Sequence, residues 1–282
     1  MTDSNCDLPF DYCVRHNIAL LKMNFVIDGT FYYAGDMPNK EFYDLLRAGK
    51  LPTTTAANIE EIRDVMEPHL QNGDDLLYLA FSSGMSVTAE LGEQVARQLT
   101  EKYPDRKVIC VDSLCASMGQ GLLVHLVNQM RQNGASVEEA ADWARANRRD
   151  IAQIVLADDL MHLHRGGRVS RVSAIAGSLI GVKPIIQVNE EGRLIPIDKA
   201  RGKKRGLAQL VDYLAGRVGD NKPAYFMVSH ADCEEDAWLL ARMISERFGV
   251  SDFMINYIGP VIGTHTGPGT VAAFIYAGNQ AL

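Results

Sequence analysis

Two kinds of segment alternate along the first half of this sequence. Short continuous apolar runs, such as 75–81 (DLLYLAF) and 107–113 (KVICVDS), predict buried strands, and the amphipathic runs between them predict helices. Continuous apolar strands separated by helices are typical of a parallel sheet that is covered on both faces. The pattern therefore predicts an N-terminal α/β domain with a mostly parallel sheet.

The second half of the chain has a different pattern. Residues 183–200 contain two strand-like runs around the turn at 189–192 (NEEG), which is a hairpin signal, and amphipathic helices are predicted at 203–218 and 234–249. Residues 252–277 read as a strand, a Gly/Pro-rich loop and a second strand. Because hairpins occur beside helices here, we expect a mixed sheet with helices.

The change of pattern divides the chain into two predicted domains. We expect an N-terminal α/β domain at 1–152 and a C-terminal α/β domain with a mixed sheet at 153–282. Residues 2–9 (TDSNCDLP) resemble the loop that follows a first strand, yet only Met1 precedes them. Either the true start lies upstream or a strand has been lost, and the sequence leaves open whether an N-terminal strand is missing.

The composition is that of a soluble globular protein. Apolar residues make up 47% and charged residues 22%, and the net charge of −7 argues against a nucleic-acid partner. There is no run of eighteen apolar residues and no basic-then-apolar leader, so we predict neither a membrane span nor a secretory signal. The five cysteines include no C-x-x-C pair, which favours buried reduced thiols in a cytoplasmic protein.

A serine-rich junction follows the apolar run at 75–81. Ser82 and Ser83, with Gly84 after them, lie between this predicted strand and the next predicted helix. One interpretation is that a serine caps the helix. The other is that the junction binds an anion, because a helix N-terminus offers free N–H donors and the hydroxyls add more.

Two further clusters have comparable chemistry. Thr53, Thr54 and Thr55 follow a proline and precede a predicted helix, where a hydroxyl could cap the helix or contact a ligand. His265 lies in the Gly/Pro-rich run GTHTGPG, where the backbone can approach a ligand closely. Such a histidine could complete a carboxylate or phosphate site, although a purely structural role is nearly as well supported.

A basic segment begins at His164 and carries three arginines, Arg165, Arg168 and Arg171. Arginine suits bidentate recognition of a carboxylate or phosphate, although a solvated basic loop explains at least one of the three. His162 and His164 could be two metal ligands on one strand face. No matching set of further ligands is evident, so we expect no metal site.

The signatures of common enzyme classes are missing from the sequence. There is no G-x-x-x-x-G-K-[ST], no G-x-G-x-x-G after the first strand and no G-x-S-x-G elbow. Asp112, at the end of a predicted strand, is expected to pin its loop. Hydroxyls, one histidine and arginine, without a nucleophile–base pair, favour a site that binds an anion over one that cleaves a bond.

In their order and spacing these clusters resemble the DegV family of bacterial fatty-acid-binding proteins. The resemblance extends over nearly the whole chain. The segments that carry it are TDSNCDLP, the Pro-Thr-Thr-Thr turn, FSSGMSVT, VDSLCASMGQG, GGRVSRVSAIAGSLIGVKPIIQV, DKARG and IGPVIGTHTGPG.

The resemblance implies two α/β domains with a long-chain fatty acid between them. The residues that match the family's carboxylate-binding motifs are Thr54, Thr55, Ser82, Ser83, Arg168 and His265. The sequence departs from the family pattern beside these motifs: Ala56, Ala57 and Asn58 follow the threonines, and Val87 and Ala89 follow the serines. The hydroxyls are retained, so the altered neighbours are expected to affect the preferred chain length and saturation.

Residues that could line an acyl-chain slot share apolar or adaptable side chains: Met85, Met118, Ile175, Leu179, Ile180, Ile185 and Ile186. For most of them an ordinary core position is the alternative. No cofactor is expected, and the fatty acid is the ligand.

The resemblance also implies a partner. Family members are not enzymes but carry the acid to a separate ATP-dependent fatty acid kinase, whose acyl-phosphate product feeds phospholipid synthesis. The basic segments 165–171 and 199–205 could face that kinase or transiently contact an anionic membrane surface. The alternatives are a phosphotransferase or hydrolase that uses Ser83 or His265, and a regulatory module that senses lipid.

Overall fold

A computed structural model of the protein describes residues 1–158, 160–169 and 181–278. The strands are β1 (Thr2–Asp3), β2 (Leu20–Leu21), β3 (Asn24–Ile27), β4 (Thr30–Tyr33), β5 (Thr53–Thr55), β6 (Leu76–Ala80), β7 (Val108–Asp112), β8 (Ile151–Leu156), β9 (Val182–Val188), β10 (Leu194–Arg201), β11 (Phe226–His230), β12 (Phe253–Tyr257) and β13 (Val271–Tyr276). The α-helices are α1 (Phe10–Arg15), α2 (Asn39–Arg47), α3 (Ile59–Gln71), α4 (Thr88–Lys102), α5 (Met118–Gln132), α6 (Val137–Asn147), α7 (Met161–Arg165), α8 (Lys203–Val218), α9 (Glu234–Phe248) and α10 (Pro260–Thr266).

The N-terminal sheet is parallel, as the apolar pattern predicts, with strand order β2-β1-β6-β7. Both of its faces are covered. Tyr78 packs in the core with α3 and α4, whereas Leu79 packs in the core with α5 and α6. The first strand has two described residues, and Thr2 pairs with Leu20 on one side and with Leu79 on the other.

A small antiparallel sheet, with strand order β4-β3-β5, lies beside this parallel sheet. At the threonines the sequence predicts a hydroxyl that caps the following helix or contacts a ligand. Instead, the three threonines form β5, and Thr54 pairs with Phe25 of β3. The cap of α3 is Asn58, whose side chain accepts from the backbone N–H of Glu61 while the Glu61 carboxylate accepts from the Asn58 N–H.

The C-terminal sheet is mixed, with strand order β10-β9-β8-β13-β11-β12, and its hairpin and helices agree with the predicted pattern. One prediction is wrong. The run predicted as a Gly/Pro-rich loop contains the helix α10, because Pro260 occupies the first helical turn, where its missing N–H costs nothing. Gly267 ends this helix with a φ of 74°, a conformation that glycine adopts without strain.

The helix α5 lies between the two sheets. A Cβ atom on Gly119 would come within 2.4 Å of the Gln153 side chain in β8, and one on Gly121 would come within 2.7 Å of the Cys6 carbonyl. Glycine at these positions therefore allows the helix to contact both halves closely. The division proposed from the sequence, between residues 152 and 153, falls within β8.

Candidate functional site

A cavity of about 390 Å³ lies where the two halves meet. This volume is in the range typical of small-molecule sites. Most of its wall is apolar, with a few polar groups among the apolar ones. The lining residues are Asn5, Met23, Thr54, Thr55, Ala56, Phe81, Ser83, Met85, Ser86, Val87, Ala116, Ser117, Val155, Leu163, Arg168, Val188, Leu194, Ile258, Val261, Ile262, His265, Thr266, Ala272 and Phe274.

A threonine–histidine pair forms part of the polar lining. Thr54 Oγ1 on β5 lies 2.9 Å from His265 Nε2 on α10, within hydrogen-bond distance. The hydroxyl of Thr55 donates to the amide oxygen of Asn24 at 2.6 Å. Thr54 and Thr55 both line the cavity, whereas Thr53 lies outside the lining.

The ring of His265 is uncharged at neutral pH. Burial, followed by the charges of Arg168 and His162, lowers the pKa of His265 to about 4. Its Nδ1 atom is buried and has no hydrogen-bond partner within the described ranges. Gly166 permits this packing, because a Cβ atom there would lie 2.1 Å from Nδ1. The imidazole therefore retains one unused nitrogen.

Arg168 brings a positive charge to the cavity lining. Its guanidinium donates to the carbonyl oxygens of Met85, at 3.4 Å, and of Gly166. It makes no ion pair among the residues that the structure describes. The side chain is exposed, so this charge is accessible both to solvent and to a bound anion.

The two neighbouring serines have different surroundings. Ser83 lines the cavity, and its hydroxyl donates to the Asp112 carboxylate at 2.5 Å. Asp112 also pins its own loop, as expected, because it accepts from the backbone N–H of Leu114 at 3.0 Å. Ser82 is fully buried outside the lining and donates to the carbonyl of Gly192 at 2.8 Å. Neither serine caps α4, which begins after Val87 without a side-chain cap. The structure therefore brings Ser83 to the cavity but leaves Ser82 in the core.

The acyl-slot prediction is only partly matched by the cavity wall. Met85 lines the cavity. Met118 and Ile186 are buried in the core around α5, and Ile185 is buried on the opposite face of β9 beside α8. None of these three residues is among the cavity lining: Ile185 and Ile186 point to opposite faces of β9, because successive strand residues alternate, and Met118 lies on α5. Three further predicted residues, Ile175, Leu179 and Ile180, lie outside the described residues, as does Arg171.

Several wall residues were missed by sequence reasoning. Val261 and Ile262 lie on α10 beside the predicted His265, and Ile258 precedes this helix, all at i, i+3, i+4, i+7 spacing. This signal was present in the sequence but was hidden by the assignment of the segment as a loop. Ala272 and Phe274 show the alternate spacing of one strand face on β13.

A second polar cluster adjoins the cavity through Ser117 and was also missed. The Ser117 hydroxyl donates to the Asp7 carboxylate at 2.5 Å and lies 2.9 Å from the Ser229 hydroxyl. The other Asp7 oxygen accepts from the backbone N–H of Gly259 at 2.9 Å. Burial raises the pKa of Asp7 to about 7, although these hydrogen bonds oppose the shift. This cluster joins the loop after β1 to the start of α10.

The described residues contain no cluster of three or more His, Cys, Asp or Glu side chains that could hold a metal ion. His162 and His164 lie on the helix α7, not on a strand face as suggested by the sequence. In the basic segment 199–205, Lys203 is paired with Asp158 and Asp236. Every helix described is too short or too polar to span a bilayer.

Comparisons with known proteins find matches that cover nearly the whole chain. The profile of a family described as "Uncharacterised protein, DegV family" matches residues 1–278. A DegV domain-containing protein from Clostridium perfringens is 39% identical over 276 residues, which cover 97% of this chain and 95% of that relative.

Solved structures give the same result. A DegV family protein from Thermus thermophilus, described by its fatty acid binding, matches with a TM-score of 0.87 at 27% identity, covering 98% of this chain and 97% of its own. DegV from Bacillus subtilis, described as a fatty acid binding protein, matches with a TM-score of 0.85 at 27% identity and the same coverage. Both halves of the fold are therefore shared with these proteins.

Proposed function

The chain belongs to the DegV family, and from this premise we propose that it binds one long-chain fatty acid in the cavity between its two halves. The observation that carries the proposal is the pairing of an apolar wall with a small polar lining that has unused capacity. Arg168 is exposed at this lining and has a charge without a counter-ion among the described residues. The relatives whose structures match are themselves described as fatty acid binding.

The carboxylate is bound by the polar lining. Arg168 supplies the positive charge, and Thr54, Ser83 and His265 supply short hydrogen-bonding groups. An uncharged imidazole can still donate one hydrogen bond from whichever nitrogen carries its proton. Thr55 lies in the same lining, although its hydroxyl is already paired with Asn24.

The acyl chain occupies the apolar part of the cavity. Phe81, Val188, Ile262 and Phe274 are among the side chains that surround it. Each methylene group that leaves water for such a wall contributes about 0.8 kcal/mol. A long chain is therefore held mainly by its methylenes, while the polar lining sets its orientation.

The contacts favour binding over catalysis. A serine hydrolase needs a serine that is hydrogen-bonded to a histidine, with an acid orienting that histidine. Here the Ser83 hydroxyl donates to Asp112, whereas His265 contacts Thr54. The remaining His265 nitrogen has no acid beside it in the described part of the chain. These contacts support a carrier rather than an enzyme that uses Ser83 and His265.

We further propose that the bound acid is passed to a separate ATP-dependent fatty acid kinase, which forms an acyl-phosphate for phospholipid synthesis. Ser83 and Arg168 are exposed at the polar lining, which supports access to the carboxylate from outside. A transient contact with an anionic membrane surface, made by the basic segments, belongs to the same proposal.

Native mass spectrometry after detergent-free purification, followed by displacement of a fluorescent fatty acid, tests the binding proposal. We expect a co-purified mass in the range of a long-chain acid. We expect Arg168→Gln to weaken affinity about tenfold, equivalent to about 1.4 kcal/mol, because it removes the charge that faces the carboxylate. Arg165→Gln is the matched control, because Arg165 is exposed on α7 but lies outside the cavity lining.

A protein that binds no long-chain acid in titration would refute the binding proposal. The transfer step has its own assay: a fatty acid kinase should consume ATP in the presence of the loaded protein and not with the free acid alone. Equal consumption with and without the protein would refute the carrier role while leaving binding intact.

A further inference from the structure

A second cavity, of about 340 Å³, lies between the start of β8, the turn after β9 and the end of α8. Its volume is within the range typical of small-molecule sites. Among the described residues, Val188 alone lines both this cavity and the first one, which lies where the two halves meet. The second cavity is therefore separate from the proposed fatty acid site.

The second cavity lies at a gap in the C-terminal sheet. β8 pairs with β13 over residues 151–156, but it pairs with β9 only over residues 154–156. The turn that follows β9 reaches the other half of the molecule instead, where the carbonyl of Gly192 accepts from Ser82. Residues 151–153 of β8 are therefore left without a described neighbouring strand on the β9 side.

Three arginines line this cavity from two sides. Arg148 and Arg149 belong to the 3-10 turn that precedes β8, and Arg217 lies in the last turn of α8. None of the three forms an ion pair with a carboxylate among the residues that the structure describes. Arg149 and Arg217 are exposed, so their charges are accessible to a ligand in the cavity.

Each guanidinium is nevertheless held by a backbone carbonyl oxygen. Arg148 Nη1 donates to Asp112 at 2.5 Å, Arg149 Nε to Glu190 at 3.2 Å, and Arg217 Nη2 to Arg149 at 3.1 Å. A carbonyl oxygen fixes a guanidinium without neutralising it, and each guanidinium has five N–H donors, so further donors remain. The arginines are therefore positioned before any ligand arrives.

The rest of the lining limits what this ligand can be. Two acids, Glu190 and Asp212, also line the cavity, but they are outnumbered by the arginines and pair with none of them among the described residues. Ala152, Ile154 and Leu214 provide a buried apolar floor. An anionic group on a small apolar or aromatic body matches both parts of this lining.

We propose that the second cavity binds a phosphate monoester with a small organic body, whose phosphate is held by Arg149 and Arg217. A phosphate monoester carries a charge of about −1.5 to −2 and three acceptor oxygens, so it can accept from arginines on two elements at once. A carboxylate has two oxygens, which a single guanidinium already matches. Phosphate monoesters of this kind occur both as free nucleotides and as lipid head groups.

The test titrates the full-length protein by calorimetry, at constant ionic strength, with AMP, glycerol 3-phosphate, inorganic phosphate and adenosine. AMP represents a free nucleotide, glycerol 3-phosphate represents a lipid head group, and adenosine lacks the anion. We expect one of the two esters to bind more tightly than inorganic phosphate, because its body covers the apolar floor, and adenosine to bind more weakly than AMP. Whichever ester binds more tightly identifies the source.

Arg149→Gln combined with Arg217→Gln should weaken the ester at least about tenfold, because both charges that face the phosphate are removed. Arg217→Gln alone is the second variant and should produce part of the loss. Arg242→Gln is the matched control, because Arg242 is an exposed arginine on α9 outside the cavity lining. It should leave the affinity within about twofold of that of the native protein.

Three results would overturn the inference. Neither ester may bind the native protein in the calorimeter. Arg242→Gln may weaken the ester as much as the double variant does, which would show only a general attraction to surface charge. The ester may displace a fluorescent fatty acid equally well from the native protein and from the double variant, which would place it in the first cavity. Fatty acid binding is tested by titration with the acid itself and stands or falls separately.

Discussion

Two polar regions border the same cavity, and they differ in how many of their hydrogen-bonding groups are already paired. In the cluster of Asp7, Ser117 and Ser229, both carboxylate oxygens of Asp7 accept hydrogen bonds from within the protein. At the other region, within the ranges that the structure describes, the Nδ1 atom of His265 has no partner and Arg168 donates to carbonyl oxygens but to no carboxylate. The first cluster therefore holds the two halves together, whereas the second region keeps the exposed charge of Arg168 available to a ligand.

The pH dependence of stability gives the largest expected effect. The pKa of Asp7 is raised from an ordinary value near 4 to about 7, so between these values the folded protein holds a proton that the unfolded chain has lost. Stability from this group is therefore complete below pH 4 and is lost as pH rises through 7. The total is on the order of 4 kcal/mol. The Asp7→Asn variant should not show this loss of stability as pH rises through 7.

The measurement is the free energy of unfolding by urea at several pH values, for the native protein and for Asp7→Asn. His265 contributes the opposite slope, because its pKa is lowered and its contribution grows as pH rises from about 4 towards 6.5. The contribution of Asp7 is therefore obtained by subtracting the unfolding free energy of Asp7→Asn from that of the native protein at each pH. Parallel curves for the two proteins would mean that Asp7 ionises normally and that the cluster is not the paired region described here.

The neighbouring serines provide a smaller but sharper comparison. Ser83→Ala combined with His265→Ala should weaken fatty acid affinity at least about tenfold with little change in unfolding free energy, because both side chains line the cavity. Ser82→Ala should do the reverse. It should cost about 1–2 kcal/mol of stability, because the buried Gly192 carbonyl loses its donor, and leave affinity unchanged.

Affinity is measured by displacement of a fluorescent acid and stability by urea unfolding on the same samples. Unchanged affinity in the double variant would remove Ser83 and His265 from the binding site. Weaker binding in Ser82→Ala, at unchanged stability, would place Ser82 in the site and contradict its assignment to the core.

The smallest expected effect is on the electrostatic coupling between Arg168 and His265. After burial, the charge of Arg168 is the next contribution that lowers the pKa of His265. Arg168→Gln should therefore raise this pKa by less than about one unit, since burial remains. Titration of the His265 ring by NMR, with Arg165→Gln as the control, measures the shift. A fall in the pKa of His265 would show that Arg168 does not act on the ring through its charge.

Much of the fold could be predicted because its strands and helices have clear periodicity. The runs at 75–81 and 107–113 become β6 and β7, and the amphipathic segment at 203–218 becomes α8. Two short elements could not be predicted in the same way. β1 has only two residues, and β5 is a run of threonines whose pairing partner, β3, lies some thirty positions away.

The site was predictable as a set of residue types but not as a set of contacts. Thr54, Ser83, Arg168 and His265 all reach the cavity lining, and each lies in a short polar motif. Ser82 has the same side chain as Ser83, yet the turn between β9 and β10 covers it. Which of two adjacent hydroxyls is covered depends on a segment more than a hundred positions away, and a local pattern contains no information about it.

The hydrogen bond between Gly259 and Asp7 joins a residue that is synthesised late to one that is synthesised early. The parallel sheet can form while synthesis is still under way, since domains generally fold as units from the N-terminus onward. The cavity cannot, because one wall comes from α10 and β13. A nascent chain therefore exposes half of this apolar surface until α10 and β13 have been synthesised, and the proposed fatty acid can be enclosed only after that point.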